Sequence, residues 1–331
     1  LTKSKFSAKI EKVQEQEVEM RVLITGGLGF LGTQLAIRFL QMGHQVTVVG
    51  RSPQPETHMP RKVKYVPADT TVKGSWQEGV ARQDAVINLA GVSVFRRWND
   101  KSKKLIYDTR VLTTRNVVEA LSEGRGTVLC SASAVGYYGF HGDEELTEED
   151  RPGDDFLARL CVDWEAEATK AAGKDVRVVI TRLGVVLGKT GGALGQMIPA
   201  FKRFVGGPLG SGNQWFAWIH MEDLLNAFLF VLDNEDIHGP VNFCSPNPVR
   251  NKDLAESLGK VLSRPSFLKT PAFTLRLVLG EFGSMLLEGQ KAIPVKLAKH
   301  GFDFRYPDII EALEEIVGAG GKKEPIGANT G

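Results

Sequence analysis

The chain has 331 residues, 42% hydrophobic and 24% charged, which is room for two domains or one large α/β unit and excludes a disordered or fibrous protein. Its 41 basic and 39 acidic residues leave a formal charge of +2, so the global basic excess of a nucleic-acid binder is absent. No apolar run reaches the length of a membrane span, and three scattered cysteines (Cys130, Cys161 and Cys244) spell neither a disulfide framework nor a zinc site.

Residues 1–20 are polar and charged with no signal-peptide core, and read as an arm or linker ahead of the fold. Arg21–Thr25 reads as a strand. Residues 30–42 have helical spacing, with Leu31, Leu35, Phe39 and Leu40 on one face and Gly43 as the stop. Strand-length apolar runs follow at 45–49, 62–66, 85–89, 127–131 and 176–181, with helical stretches such as 102–122 and 155–173 between them. The basic run Lys101-Ser102-Lys103-Lys104 reads as a solvated helix start. Continuous β-branched strands separated by helices predict a doubly wound, Rossmann-type parallel sheet over 21–190, with a returning segment at about 219–245. Between 188 and 212 lie eight glycines, expected as loop over a site. A helix is expected at 222–233. The stretches 191–218 and 246–317 are expected to form a smaller C-terminal α/β substrate lobe, and 318–331 a disordered tail.

The motif that carries chemistry is Thr25-Gly26-Gly27-Leu28-Gly29-Phe30-Leu31-Gly32, placed after a strand and opening a helix. Gly26 suits the tight turn, Gly29 the approach of backbone N–H groups to a pyrophosphate, and Gly32 close helix–strand packing. A dinucleotide site is therefore expected, with Phe30 and Leu31 at the helix start. Where an NAD site keeps an acidic residue, the second strand ends in Gly50, followed by Arg51 and Ser52. No carboxylate there repels a 2′-phosphate, and a guanidinium suits one, so NADP(H) is expected. Asp69 is placed to accept from the adenine amino group, and Leu89, Ala90 and Gly91 are small residues where a cofactor passes closely.

Together with Ser131 to Gly139, Arg182 to Gly188 and Trp218-Ile219-His220 with Asp223, these residues resemble the extended short-chain dehydrogenase/reductase superfamily over about 21–317. Closer still is its atypical epimerase-like subgroup, which carries a C-terminal domain of unknown function (about 265–317 here) and is sometimes labelled cell-division inhibitor. The likeness rests on 88–91 with Arg97-Trp98, on 131–139, on Trp164-Glu165, on 206–212 and on 286–290. It implies that Ser131, Leu183 and Gly184 border the cofactor and that Ser133 orients a substrate oxygen. The superfamily's catalytic Tyr, with Lys four residues later, has no counterpart at that spacing. Leu157 and Cys161 stand in its place.

A replacement proton donor is expected on the loop after the fifth strand, with Ser133 and Tyr137 as the catalytic candidates. Arg97, Trp98, Gln214 and Trp218 are expected to meet substrate, because aromatics with a few polar groups suit a small polar ligand. His220 and Arg182 read as structural residues, and no metal-ligand spacing occurs. Two functions follow. The first is an NADP-dependent oxidoreductase or epimerase acting on a small polar or nucleotide-linked substrate. The second is a non-catalytic NADP-binding sensor. The expected setting is cytoplasmic, as monomer or dimer, with no nucleic-acid or membrane partner.

Overall fold

The computed structural model describes residues 19–54, 59–189 and 191–318. The expected N-terminal arm and C-terminal tail lie almost wholly outside them. In chain order the first half holds β1 (Arg21–Thr25), α1 (Phe30–Gln41), β2 (Gln45–Gly50), β3 (Lys64–Pro67), α2 (Trp76–Val80), β4 (Ala85–Asn88), α3 (Asp100–Ala120), β5 (Val128–Ala134) and a 3-10 turn at Val135–Tyr138. There follow β6 (Glu145–Leu146), α4 (Phe156–Thr169), β7 (Arg177–Leu183), β8 (Val185–Gly188), α5 (Gly192–Lys202), β9 (Trp215–Phe216), β10 (Trp218–His220), α6 (Met221–Asp233) and β11 (Gly239–Phe243). The chain closes with β12 (Val249–Arg250), α7 (Asn251–Leu262), α8 (Ala272–Leu279), α9 (Glu281–Met285), β13 (Lys291–Ala292), α10 (Val295–Lys299) and α11 (Ile309–Gly318).

Seven strands form one parallel sheet in the order β11-β7-β5-β4-β1-β2-β3. Side-chain alternation divides its apolar residues between two cores. Val22, Ile24, Val48, Ile87, Cys130 and Val179 pack with α1 and α6. Leu23, Val49, Val86, Leu129, Val178 and Ile180 pack on the α3 and α4 side. The order reverses between β4 and β1, and ligands of such sheets lie outside the strand C-termini at that reversal. A third core, from Leu194 and Phe201 on α5, Leu254 and Leu258 on α7, and Leu313 and Ile316 on α11, builds the second lobe.

The 188–212 stretch is less loop-like than expected, because α5 occupies its middle. Its glycines have a packing cause. A Cβ on Gly188, Gly191 or Gly192 would come within 2.8–3.0 Å of the Phe30 ring. The basic run opens α3 behind an Asn99–Ser102 capping box. Lys101 and Lys104 are solvated as expected, with Lys104 paired to Asp108, but Lys103 is partly buried, paired with Glu281 and set over the Phe156 ring.

His220 and Asp223 fasten α6 to the C-terminal segment. The Asp223 carboxylate accepts from the backbone N–H groups of Arg305 and Tyr306 at 2.8 and 2.9 Å. His220 Nδ1 accepts from Glu222 N, and Nε2 meets Glu315 Oε2 at 3.2 Å. Burial pulls the imidazole below its ordinary 6.5, against the pull of Glu315 and Asp223. The fold thus favours neutral His220, and below about pH 6.5 the unfolded chain takes up the proton more readily. The contribution is full above that pH and is lost as pH falls. The melting temperature of the wild type is expected to drop more steeply between pH 7 and 5 than that of His220→Gln, in buffers of equal ionic strength. Parallel curves would show that His220 does not titrate on unfolding.

Candidate functional site

The glycine turn sits at the sheet's reversal, wedged against the loop after β4. Gly26 has φ +67°, and a Cβ there would lie 2.9 Å from Ala90 Cα. Gly32 has no room either, since its Cβ would lie 2.5 Å from both Gly26 O and Gly27 Cα. Thr25 Oγ1 ties the two turns together, donating to Asn88 Oδ1 at 2.7 Å and accepting from Ala90 N. Asn88 in turn reaches Thr114 and Ser131. Helix α1 has Gly29 at its N-cap, with no side-chain cap bond and no acidic residue in its first turn. By contrast, Asn99 caps α3 and Asp155 caps α4. The first N–H groups of α1 thus have no side-chain partner, a condition that favours an anion at a helix start. Phe30 contributes its backbone to this start, while its ring is spent in the glycine cradle of the second lobe.

Beyond β2, Arg51 and Ser52 are exposed. The single Tyr65 hydroxyl proton is shared between Ser52 O at 2.6 Å and Gly50 O at 3.0 Å, fixing that loop. Asp69 Oδ1 accepts from Thr71 N and Thr71 Oγ1, which shapes the turn after β3. Gly91 borders the side chain of Arg110, whose Cζ would lie 2.9 Å from a Cβ at that position. Gly184 is closed in by Ala217 and Cys244.

After β5 the side chains of Ser133, Glu165, Arg182, Tyr138 and Asn242 join in a buried polar network. Ser133 Oγ donates to Glu165 Oε1 at 2.6 Å. Arg182 grips the same carboxylate with two bonds, Nε to Oε1 at 2.9 Å and Nη2 to Oε2 at 2.8 Å. Its Nη1 donates to Tyr138 Oη, which donates to Asn242 Oδ1 at 2.6 Å. Burial works against the Arg182 charge, but the bonds and charge of Glu165 outweigh it and leave the guanidinium above its ordinary value. Burial likewise raises the Tyr138 phenol. The Tyr137 ring lies on the Arg182 guanidinium, 3.5 Å from centroid to Cζ. It borders a cavity of about 610 Å³ that runs along β7 and is also lined by Glu165, Arg182 and His238. Cys161, in the place of the superfamily lysine, is buried, and burial pushes its thiol up to about 12.

Both aromatics expected at substrate are buried in packing. Trp218 is wholly buried in the second lobe, and its indole N–H donates to Asn247 O, so no ring face remains for a ligand. Trp98 is wedged between Phe156 and Phe282, with its N–H on Val94 O. Arg97 beside it is exposed. Gln214 clasps two loops, donating from Nε2 to Leu209 O and Leu286 O, while its buried Oε1 has no partner among the described residues.

Two residues lacked a role in the sequence reading. Glu165 lies on the buried face of α4 with Cys161 and Ala168, where a carboxylate requires a buried cation. Arg110 shares the inner side of α3 with Ile106. Its Nη1 bonds the carbonyls of Val92 and Ile106, its Cζ lies 5.4 Å from the Trp164 ring, and among the described residues no carboxylate pairs with it. Burial, helped by Arg96, pulls Arg110 down to about 10. No cluster of potential metal ligands occurs among the described residues.

An uncapped glycine turn at the reversal of a parallel sheet defines a Rossmann protein of the NAD(P)-binding class. The chain belongs to the NAD dependent epimerase/dehydratase family, which matches residues 22–243, and residues 270–316 match a domain of unknown function, DUF1731. It is 42% identical over 307 residues to the chloroplastic epimerase family protein SDR39U1 homolog of Arabidopsis thaliana, covering 92% of this chain and 88% of that one. It is 36% identical over 308 residues to the epimerase family protein YfhF of Bacillus subtilis, covering 90% and 98%. The crystal structure of human epimerase family protein SDR39U1 (isoform 2) with NADPH is similar at a TM-score of 0.78 and 35% identity, covering 90% and 99%. A UDP-galactose 4-epimerase at 21% identity and a TM-score of 0.72 shares the fold.

Proposed function

We propose that this chain is an NADP(H)-dependent oxidoreductase or epimerase acting on a small polar or nucleotide-linked substrate. The observation that carries the reading is the exposed Arg51-Ser52 pair at the end of β2, where Gly50 stands in the acid's place beside an uncapped helix start. The human relative of known structure holds NADPH. In this reading the N–H groups around Gly29 to Gly32 hold the pyrophosphate and Arg51 with Ser52 the 2′-phosphate. Asp69 faces the adenine, and Leu89, Ala90, Gly91, Ser131, Leu183 and Gly184 border the cofactor. The cofactor supplies hydride chemistry, and the protein supplies orientation and protons. Ser133 and Tyr137 are the proposed relay, with Arg97 and Gln214 toward substrate. Three buried thiols suit a reducing compartment such as the cytoplasm.

A second reading, an NADP-binding sensor, is favoured by one observation. The Ser133 proton is committed to Glu165. The test is NADPH oxidation against a panel of carbonyl compounds and nucleotide sugars. Ser133→Ala and Tyr137→Phe are each expected to slow turnover by roughly 10²-fold, the scale of a lost general acid. Unchanged turnover in the double variant would refute the relay. Tight NADPH binding without consumption of any substrate would favour the sensor.

A further inference from the structure

Among the described residues twelve large hydrophobic side chains are exposed, and seven of them (Phe204, Val205, Phe267, Leu268, Phe273, Leu277 and Val278) come from two neighbouring segments. These segments are stitched side by side. Gly210 N donates to Thr270 O, Thr270 N donates to Pro208 O, and Gly207 packs directly on the backbone of Leu268. Helix α8 buries none of its side chains, and Phe273 and Leu277, each 71% exposed, lie one turn apart on the same side. The charge is segregated as well. Stretches 200–213 and 259–280 contain six Lys and Arg residues and no Asp or Glu, although the whole chain is nearly balanced. All six cations, Lys202, Arg203, Lys260, Arg264, Lys269 and Arg276, are exposed. The next carboxylate along the chain, Glu281, is spent on Lys103.

Contiguous apolar patches of this kind mark interaction sites. Aromatic and aliphatic side chains interleaved with cations and free of carboxylates suit the boundary of an anionic bilayer, where rings enter between headgroups and cations meet phosphates. We propose that this face docks on an anionic lipid surface, which departs from the expectation, read from the sequence, of no membrane partner. The attachment is peripheral, since no described helix is long and apolar enough to cross a membrane. Leu279, at the end of α8, packs in the cluster that holds Trp98, so the docked face adjoins the loop that carries Arg97.

The experiment is flotation of the full chain, loaded with NADPH, on vesicles of phosphatidylcholine alone or mixed with phosphatidylglycerol. Binding is expected on the anionic vesicles, with weakening by salt. Phe273→Asp/Leu277→Asp and Lys269→Glu/Arg276→Glu are each expected to weaken it by roughly tenfold or more, with circular dichroism and NADPH affinity unchanged. Three results would overturn the proposal: no binding to anionic vesicles, equal binding to both vesicle types, or variants that bind as the wild type does. A dimer in solution that the apolar variants abolish, without vesicle binding, would assign the face to a second copy of the chain.

Discussion

Replacing Glu165 by alanine is expected to destabilise the fold by about 3–5 kcal/mol, the cost of leaving a buried guanidinium without its partner. Glu165 and Arg182 are only 9% and 2% exposed at their side chains, so the guanidinium left behind is largely shielded from bulk water. Ser133 Oγ loses its acceptor at the same time. The double variant Glu165→Leu/Arg182→Leu is expected to recover much of the loss, because removing both charges removes the unpaired one. Urea unfolding of the wild type, Glu165→Leu, Arg182→Leu and the double leucine variant measures the coupling. A single-variant loss below about 1 kcal/mol, the range of exposed pairs, would show that water reaches the site.

Gly32→Val is expected to weaken NADPH binding by about 100-fold or more, because the turn and α1 cannot both keep their places around a side chain and preorganisation is lost. The obstacle is backbone (Gly26 O and Gly27 Cα, each 2.5 Å from the new Cβ), so no rotamer relieves it. Gly43→Ala is the control. Gly43 has φ +87° and open space around a Cβ, so the substitution costs about 1–2 kcal/mol of backbone strain and leaves affinity unchanged. Fluorescence titration with NADPH on both folded variants reads the difference. Equal affinities would remove the turn from the binding site.

The parallel sheet and its turn were legible in the sequence because both are local signals. Val22-Leu23-Ile24 and Val46 to Val49 are runs that only a strand buried on both faces needs, and the glycine spacing falls between a strand and a helix. Helix α5 was hidden because Gly191, Gly192 and Pro199 argue against a helix. The glycines answer to Phe30, about 160 positions earlier in the chain, and no local pattern carries that information. Trp218 and Trp98 misled for a related reason. Indoles in a glycine-rich stretch look like ligand platforms until their N–H partners, Asn247 O and Val94 O, are seen. Ser133 and Arg182 were visible as single residues. Their junction at Glu165 was not, since it joins β5, α4 and β7.

Cofactor choice turns on Arg51. Calorimetric titration of the wild type with NADPH and with NADH is expected to show a preference for NADPH of about 10- to 150-fold, the value of a charge-assisted contact of roughly 1.5–3 kcal/mol. The Arg51→Ala variant is expected to lose most of that preference while its NADH affinity stays the same. Equal affinity of the wild type for both cofactors, or a preference that survives the loss of Arg51, would remove Arg51 as the partner of a 2′-phosphate.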